Sequence, residues 1–370
     1  MATTTPAQQP VPQPPRTPPG WEHLAERAAE ILAIEETARR ALAPFRLQLQ
    51  RFTRRMMATW VRTTGGLHEQ ANPIEMAIIT ADVLRGLEDL DPTGVASRVE
   101  AATVKAAETG WRQTLDELAA IDAYPGVDLS AEVDDIRRHV DLGQQLDALV
   151  RRELSRIEPS MRDRLSQAAH EAYGLGEIGR WSEVADIVTR AMSAATGAER
   201  IAHWVVNYAA NQGSRDTARR LGFGRVWVAE RNACVVCLAL SGTVSVDAAF
   251  DGDATYGTRP LAVWPAGTAL WQPPRHPWCR CRAEVWRGSV PGYNGPDLPT
   301  ALRREAERSI LTGWRLPSES ESVRLVAARN LLARGTDLPK SVQQRARIAI
   351  ARGAFGPQPR PRPRRSVTAK

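Results

Sequence analysis

The sequence predicts a mainly α protein: a helical N-terminal region, a small irregular α+β module that carries the cysteines, short C-terminal helices, and disordered ends. Three observations predict it. Apolar residues recur at helical spacing through the first 220 residues, the texture changes at Gly222-Phe223-Gly224, and all four cysteines fall between Cys234 and Cys281. The expected organisation is an arm over 1–19, a helical region over 20–196, a cysteine module with its leading helix over 197–290, C-terminal helices over 298–355 and a basic tail over 356–370.

The arm is rich in Pro and lacks core formers, so it reads as extended and disordered. Leu24, Ala28, Ile31 and Leu32, then Leu47, Leu49, Phe52, Met56 and Trp60, mark helix from Trp21 to about Gly65, with Pro44 expected to break or kink it. A second helix fits Pro73 to Leu90, stopped by Asp91-Pro92, and a third runs from about Gly94 to Ile121, closed by Tyr124-Pro125-Gly126. Ser130 followed by Glu132 opens a fourth through Ile157. Further helices fit 160–173 and 181–196. Another, from Gly197 to Leu221, is marked by Ile201, Trp204, Val205 and Tyr208. Arg225 to Glu230, Thr243 to Val246 and Ala283 to Trp286 read as short strands separated by long Pro- and Gly-containing connections. Helical spacing returns over 299–313, 318–334 and 339–353.

Composition narrows the function classes. There is no apolar run of about 18 residues, so no membrane-spanning helix is expected. The N-terminus has no signal-peptide core, so the product is expected to remain in the cytoplasm where it is made. The net charge of +7 is unevenly spread: residues 301–370 hold 16 Arg plus Lys against 5 Asp plus Glu, a balance of +11, which leaves −4 for the first 300. Contact with a polyanion is the functional reading of that asymmetry, and Arg360, Arg362, Arg364, Arg365 and Lys370 are the candidate phosphate contacts. A solvated tail is the alternative.

The chemistry-bearing constellation is Cys234-x-x-Cys237, 41 intervening residues, then Cys279-x-Cys281, with His276 before the second pair in His276-Pro277-Trp278-Cys279-Arg280-Cys281. A CxxC turn after a strand can aim both sulfurs at one centre, and tetrahedral Zn²⁺ takes four N or S ligands. The candidate ligands are therefore four of Cys234, Cys237, His276, Cys279 and Cys281. A small module with long loops has little core of its own, and a metal would supply the cross-links. Buried inert thiols, a redox pair and a late disulfide are the competing readings.

The string from Trp227 through Glu230, Cys234, Cys237 and Leu240 to Gly242, with Pro274-Arg275-His276-Pro277-Trp278-Cys279-Arg280-Cys281, resembles the Mu F-like phage head-morphogenesis domain over roughly 170–290. Arg200, Ile201, Asn207 and Ala210 lie where that family has its leading helix. Glu230 stands where the family commonly has Asp, and Asn232-Ala233 replace Arg-Thr. The resemblance implies a low-copy minor head protein of a tailed bacteriophage or prophage, acting structurally at the portal or capsid interior. Its implied partners are portal and capsid proteins and packaged DNA, and its implied location is the host cytoplasm during assembly, then the virion. It implies no settled catalysis. The alternative is an enzyme of phage heads, a capsid maturation protease or other Cys-His enzyme, with a cysteine as nucleophile and His276 as base.

Other features read more plainly. Trp227, Trp264, Trp271, Trp278 and Trp286 are expected to pack around the cysteines, with base stacking the minority reading. Arg275, Arg280 and Arg282 flank the site and either touch phosphate or solvate the loop. His23, His68, His139, His170 and His203 are scattered along helices, and His170-Glu171 lacks the second His of a zincin motif. No GxSxG elbow, P-loop or GxGxxG is present. The sequence offers no catalytic set, and the expectation is a protein that is not an enzyme.

Overall fold

A computed structural model describes residues 21–122, 128–139, 146–250, 255–259, 261–288, 298–316 and 318–356. The expected N-terminal arm, the Tyr124-Pro125-Gly126 stop and the Arg-Pro tail with Arg360, Arg362, Arg364, Arg365 and Lys370 lie outside the described residues. The protein is mainly helical with one small sheet, as the periodicity predicts, and it divides into two compact units. One is 1–221 with 287–294, and the other is 222–286 with 295–370.

The first unit is built from α1 (Trp21–Ala41), α2 (Ala43–Thr64), α3 (Pro73–Glu88), α4 (Val95–Asp122), α5 (Ser130–His139), α6 (Ala148–Ser155), α7 (Ile157–Tyr173) and α8 (Trp181–Leu221). Pro44 sits in the first turn of α2, where its missing N–H costs nothing, and this is the break expected there. Asn72 caps α3: its side chain accepts from the Ile74 and Glu75 amides at 3.0 and 3.1 Å, and Glu75 returns the contact to the Asn72 amide at 2.8 Å. The single helix expected over 130–157 is instead two, followed by a third that begins at Ile157. Pro159 has no N–H for an interior turn and would clash with the carbonyl four residues back, so the chain restarts and places it in the first turn of α7.

The helices expected over 181–196 and 197–221 are one, α8, which at 41 residues is about 60 Å long. Gly197 does not interrupt it, and the Arg164 side chain lies over the bare Cα. The sequence reading draws a boundary at 196/197; the contacts divide the chain at 221/222, so the leading helix belongs with the first unit. Helix α8 is the spine of that unit, burying Val184, Ile187, Ala191, Ala198, Ile201, Val205 and Ala209 along its length. Its closest neighbour is α4, where two glycines remove the side chains that would hold the helices apart. A Cβ on Gly110 would enter the Ala210 carbonyl, and one on Gly213 would meet the Trp111 backbone at 2.8 Å.

The second unit begins with β1 (Gly224–Val228), continues through α9 (Val235–Leu240), β2 (Val244–Val246) and β3 (Arg282–Trp286), and ends with α10 (Leu298–Thr312), α11 (Glu321–Arg334) and α12 (Lys340–Arg352). The strands form an antiparallel sheet in the order β2-β1-β3, with β1 buried throughout. The three C-terminal helices do not form a separate region: Ala306, Ile310, Leu311, Ala327, Ala328, Leu331, Leu338 and Ala346 share one core with Trp227, Leu238, Phe250, Cys237, Cys279 and Cys281. The expectation that the cysteine module has little core of its own is corrected by this packing. No helix among the described residues is long and apolar enough to cross a membrane.

Candidate metal centre

The sheet register explains how residues some forty positions apart meet. Antiparallel pairing sets Val228, the last residue of β1, opposite Arg282, the first of β3. The chain leaving β1 therefore starts beside the chain entering β3. The first carries Cys234 and Cys237, and the second carries His276, Cys279 and Cys281.

On the first side the CxxC is not the plain turn that the sequence suggests. Cys234 occupies the N-cap position of α9, in extended backbone, and Cys237 lies one turn in, so the spacing of three puts both sulfurs on one face. Gly242, just past this helix, has φ +76° and lies against the N-terminus of α10, where any Cβ would run into the Pro299 carbonyl. On the second side the Cys279 amide donates to the His276 carbonyl at 3.1 Å, and Trp278 between them adopts left-handed backbone at φ +68°. That turn faces His276 and Cys279 inward and leaves Trp278 43% exposed.

The donors converge. His276 Nε2 lies 3.2 Å from Cys234 Sγ and 3.3 Å from Cys237 Sγ, and Cys237 Sγ lies 3.5 Å from Cys279 Sγ. Two triads result, Cys234–Cys237–His276 and Cys237–Cys279–Cys281, with the ligand atoms of each within 4.8 Å of one another and Cys237 common to both. Ligands at 2.0–2.3 Å from one tetrahedral ion stand roughly 3.5–3.8 Å apart, so the observed separations are a few tenths of an ångström tight. His276 Nδ1 donates to the Pro277 carbonyl at 2.7 Å, which aims Nε2 at the sulfurs. Cys237, Cys279 and Cys281 are buried and Cys234 is half-buried. Four thiols and one oriented imidazole form a set that can hold a metal ion.

The electrostatics without an ion run the same way. The Cys237 thiol hydrogen-bonded to Cys234, aided by His276, holds Cys234 down at about 5 against the desolvation that opposes it. Burial works against both Cys279 and His276, yet Cys237 and Cys281 hold the Cys279 thiol well below its ordinary value, and Cys234 lifts His276 to about 9. Cys237 is pushed up by serving as hydrogen-bond donor to Cys234 and Cys279, and Cys281 chiefly by burial. The cluster thus concentrates negative charge on sulfur beside a cationic ring, and a divalent ion would displace the ring's proton.

Two residues outside the motif hold the knuckle in place. Arg324 is completely buried; it donates to Glu319 Oε2 through Nε at 2.8 Å and again through Nη2, and to the Ala233 carbonyl at 2.7 Å. Glu319 Oε1 accepts from the Val235 amide at 2.7 Å. The pair therefore grips the backbone on both sides of Cys234. The signal available in the sequence is Arg324 at the head of the apolar stripe Ala327, Ala328, Leu331, which places a cation on the inward face of α11.

The flanking arginines expected to touch phosphate or solvent divide differently. Arg275 is buried and bonds the Leu261 carbonyl through Nε at 3.0 Å and Nη2 at 2.6 Å, so it braces the loop. Arg282 pairs with Glu284 at 3.4 Å. Of the tryptophans, Trp227 packs edge-on against Phe250, whereas Trp271 and Trp278 are substantially exposed. His203 is buried in the first unit, 3.3 Å from Glu35, and takes no part in the cluster. Comparison with family models, with curated proteins and with solved structures returns no match.

Proposed function

We propose that the chain is a minor head protein of a tailed bacteriophage or prophage, and that its Cys/His cluster holds a structural zinc ion. The observation that carries the reading is the convergence of CxxC and HPWCRC, the two strings in which the resemblance to the Mu F-like head-morphogenesis family resides, on one donor cluster. The role is structural, at the portal or capsid interior, with portal and capsid proteins as partners and the basic C-terminal end near packaged DNA. The location is the host cytoplasm during assembly and then the virion.

We assign the metal to four of Cys234, Cys237, His276, Cys279 and Cys281; Cys237 belongs to both triads, and a single four-ligand site forms when the two triads draw together around one ion. A closed four-ligand zinc site ties the start of α9 to the turn before β3 and supplies no open position for catalysis. The test of the biological role is purification of particles from a lysogen that expresses the tagged chain. Low-copy recovery with the portal supports it, and absence from particles overturns it.

One observation favours a second reading. The Cys234–His276 pair, with its depressed thiol and raised imidazole, is also the arrangement of a thiolate nucleophile and its base. Loss of capsid-protein cleavage in C234S, with a preserved fold, would favour a Cys-His enzyme over a structural site.

A further inference from the structure

Helix α12 carries an uncompensated positive face. Lys340, Arg345, Arg347 and Arg352 are all exposed, while Ala346 and Ala349 turn to the core. They fall in two rows, Lys340 with Arg347 and Arg345 with Arg352, each pair two turns or about 10 Å apart along the axis. None of the four has an ion-pair partner among the described residues. The acids of the preceding elements are engaged elsewhere: Asp337 with Arg304, Glu305 with Arg231, Glu307 with the Thr336 hydroxyl, Glu319 with Arg324 and Glu321 with Arg315. After Asp337 the sequence contains nine Arg or Lys and no Asp or Glu through to Lys370. A solvated surface helix ordinarily mixes both signs at spacings of three and four, because like charges there repel. This helix does the opposite.

We infer that the exposed face of α12 is a binding surface for the phosphate backbone of duplex DNA. The inference stands apart from the metal reading. The chemistry favours nucleic acid over other anionic partners. A helix that lies on a membrane presents a broad apolar face with aromatic residues, and here Ile348 is the one large apolar side chain exposed on α12. A protein interface has an apolar anchor surrounded by polar residues, whereas Ser341 and Gln344 lie exposed among the cations. Short polar side chains beside Arg and Lys are the contacts that phosphates receive.

The test is fluorescence anisotropy of a labelled mixed-sequence duplex with the full-length protein over a salt series, with far-UV circular dichroism to verify folding. Each neutralised phosphate contributes a slope of about 0.9 in log affinity against log salt. The variant K340Q/R345Q/R347Q/R352Q should lower affinity at least tenfold at low salt and flatten the slope by about 3.6 if each cation meets one phosphate, and R345K/R347K/R352K should keep most of the binding. Unchanged affinity and slope in the glutamine variant overturn the inference. So does equal loss in the lysine variant, which would trace the effect to structure rather than charge. Tighter binding to phosphatidylserine vesicles than to the duplex would assign the face to a membrane and overturn it too.

Discussion

Replacing Arg324 by methionine removes the cation and keeps most of its apolar volume, so it isolates what the buried pair does for the knuckle. The guanidinium is fully enclosed and donates to Glu319 and to the Ala233 carbonyl. Without it the Glu319 carboxylate, 9% exposed and already pushed up by burial, is left with the Val235 amide as its remaining contact. Breaking a buried pair in this way costs about 3–5 kcal/mol. If that cost is localised where the pair grips the chain, the amides of residues 233–240 in metal-stripped protein should exchange with deuterium two to three orders of magnitude faster, because each 1.4 kcal/mol is a factor of ten. The double variant E319Q/R324M removes both charges and should recover much of the protection. Hydrogen exchange read by mass spectrometry on the 233–240 peptide decides the matter. An R324M exchange rate within threefold of wild type, or a double variant no better protected than the single one, would refute the argument that this ion pair fixes the position of Cys234.

Four further outcomes are expected. In the helical unit, Gly110→Ala should destabilise by at least about 2–3 kcal/mol in urea unfolding, since the added Cβ meets the α8 backbone, which cannot rotate away. In the second unit, Gly242→Ala combines a left-handed residue with a clash at Pro299 and should abolish its cooperative melt. Gly353→Ala meets nothing within 4 Å and should cost only about 1 kcal/mol through its backbone conformation. Burial opposes ionisation of Asp82, but Arg55 and Thr59 hold its carboxyl below the ordinary value. A depressed carboxylate contributes stability that is complete above about pH 4 and is lost as pH falls through the lowered folded value, so D82N should unfold with less acid sensitivity in a pH series of melts.

What could be read from the sequence, and what could not, follows from the range of the interactions involved. Strands β1, β2 and β3 were legible because alternation is local, and Pro44 marked the break between α1 and α2 by the same local logic. Gly197 misled, since a glycine inside a helix signals either an end or a close neighbour, and Arg164 over its Cα is visible only in three dimensions. Pro159 marks the restart at α7, close to the boundary expected between 157 and 160. The five candidate ligands were legible as residue types and spacing. Their meeting depends on the Val228–Arg282 register, and their support comes from Glu319 and Arg324, more than eighty residues beyond Cys234. No spacing rule links those positions. The same long-range packing, through Ile310, Leu331 and Ala346, gives the module the core that local reading denied it.

That core sharpens the most direct test of the metal assignment, which is the metal content of cytoplasmically expressed protein and of its single-ligand variants, measured by mass spectrometry under native conditions. The account predicts about one zinc per chain, lost in C237S because that thiol belongs to both donor triads, with chelation loosening residues 233–240 and 276–281 while α10–α12 stay folded. A folded, metal-free protein whose four thiols all react freely, or a C237S variant that keeps its zinc, would contradict the assignment.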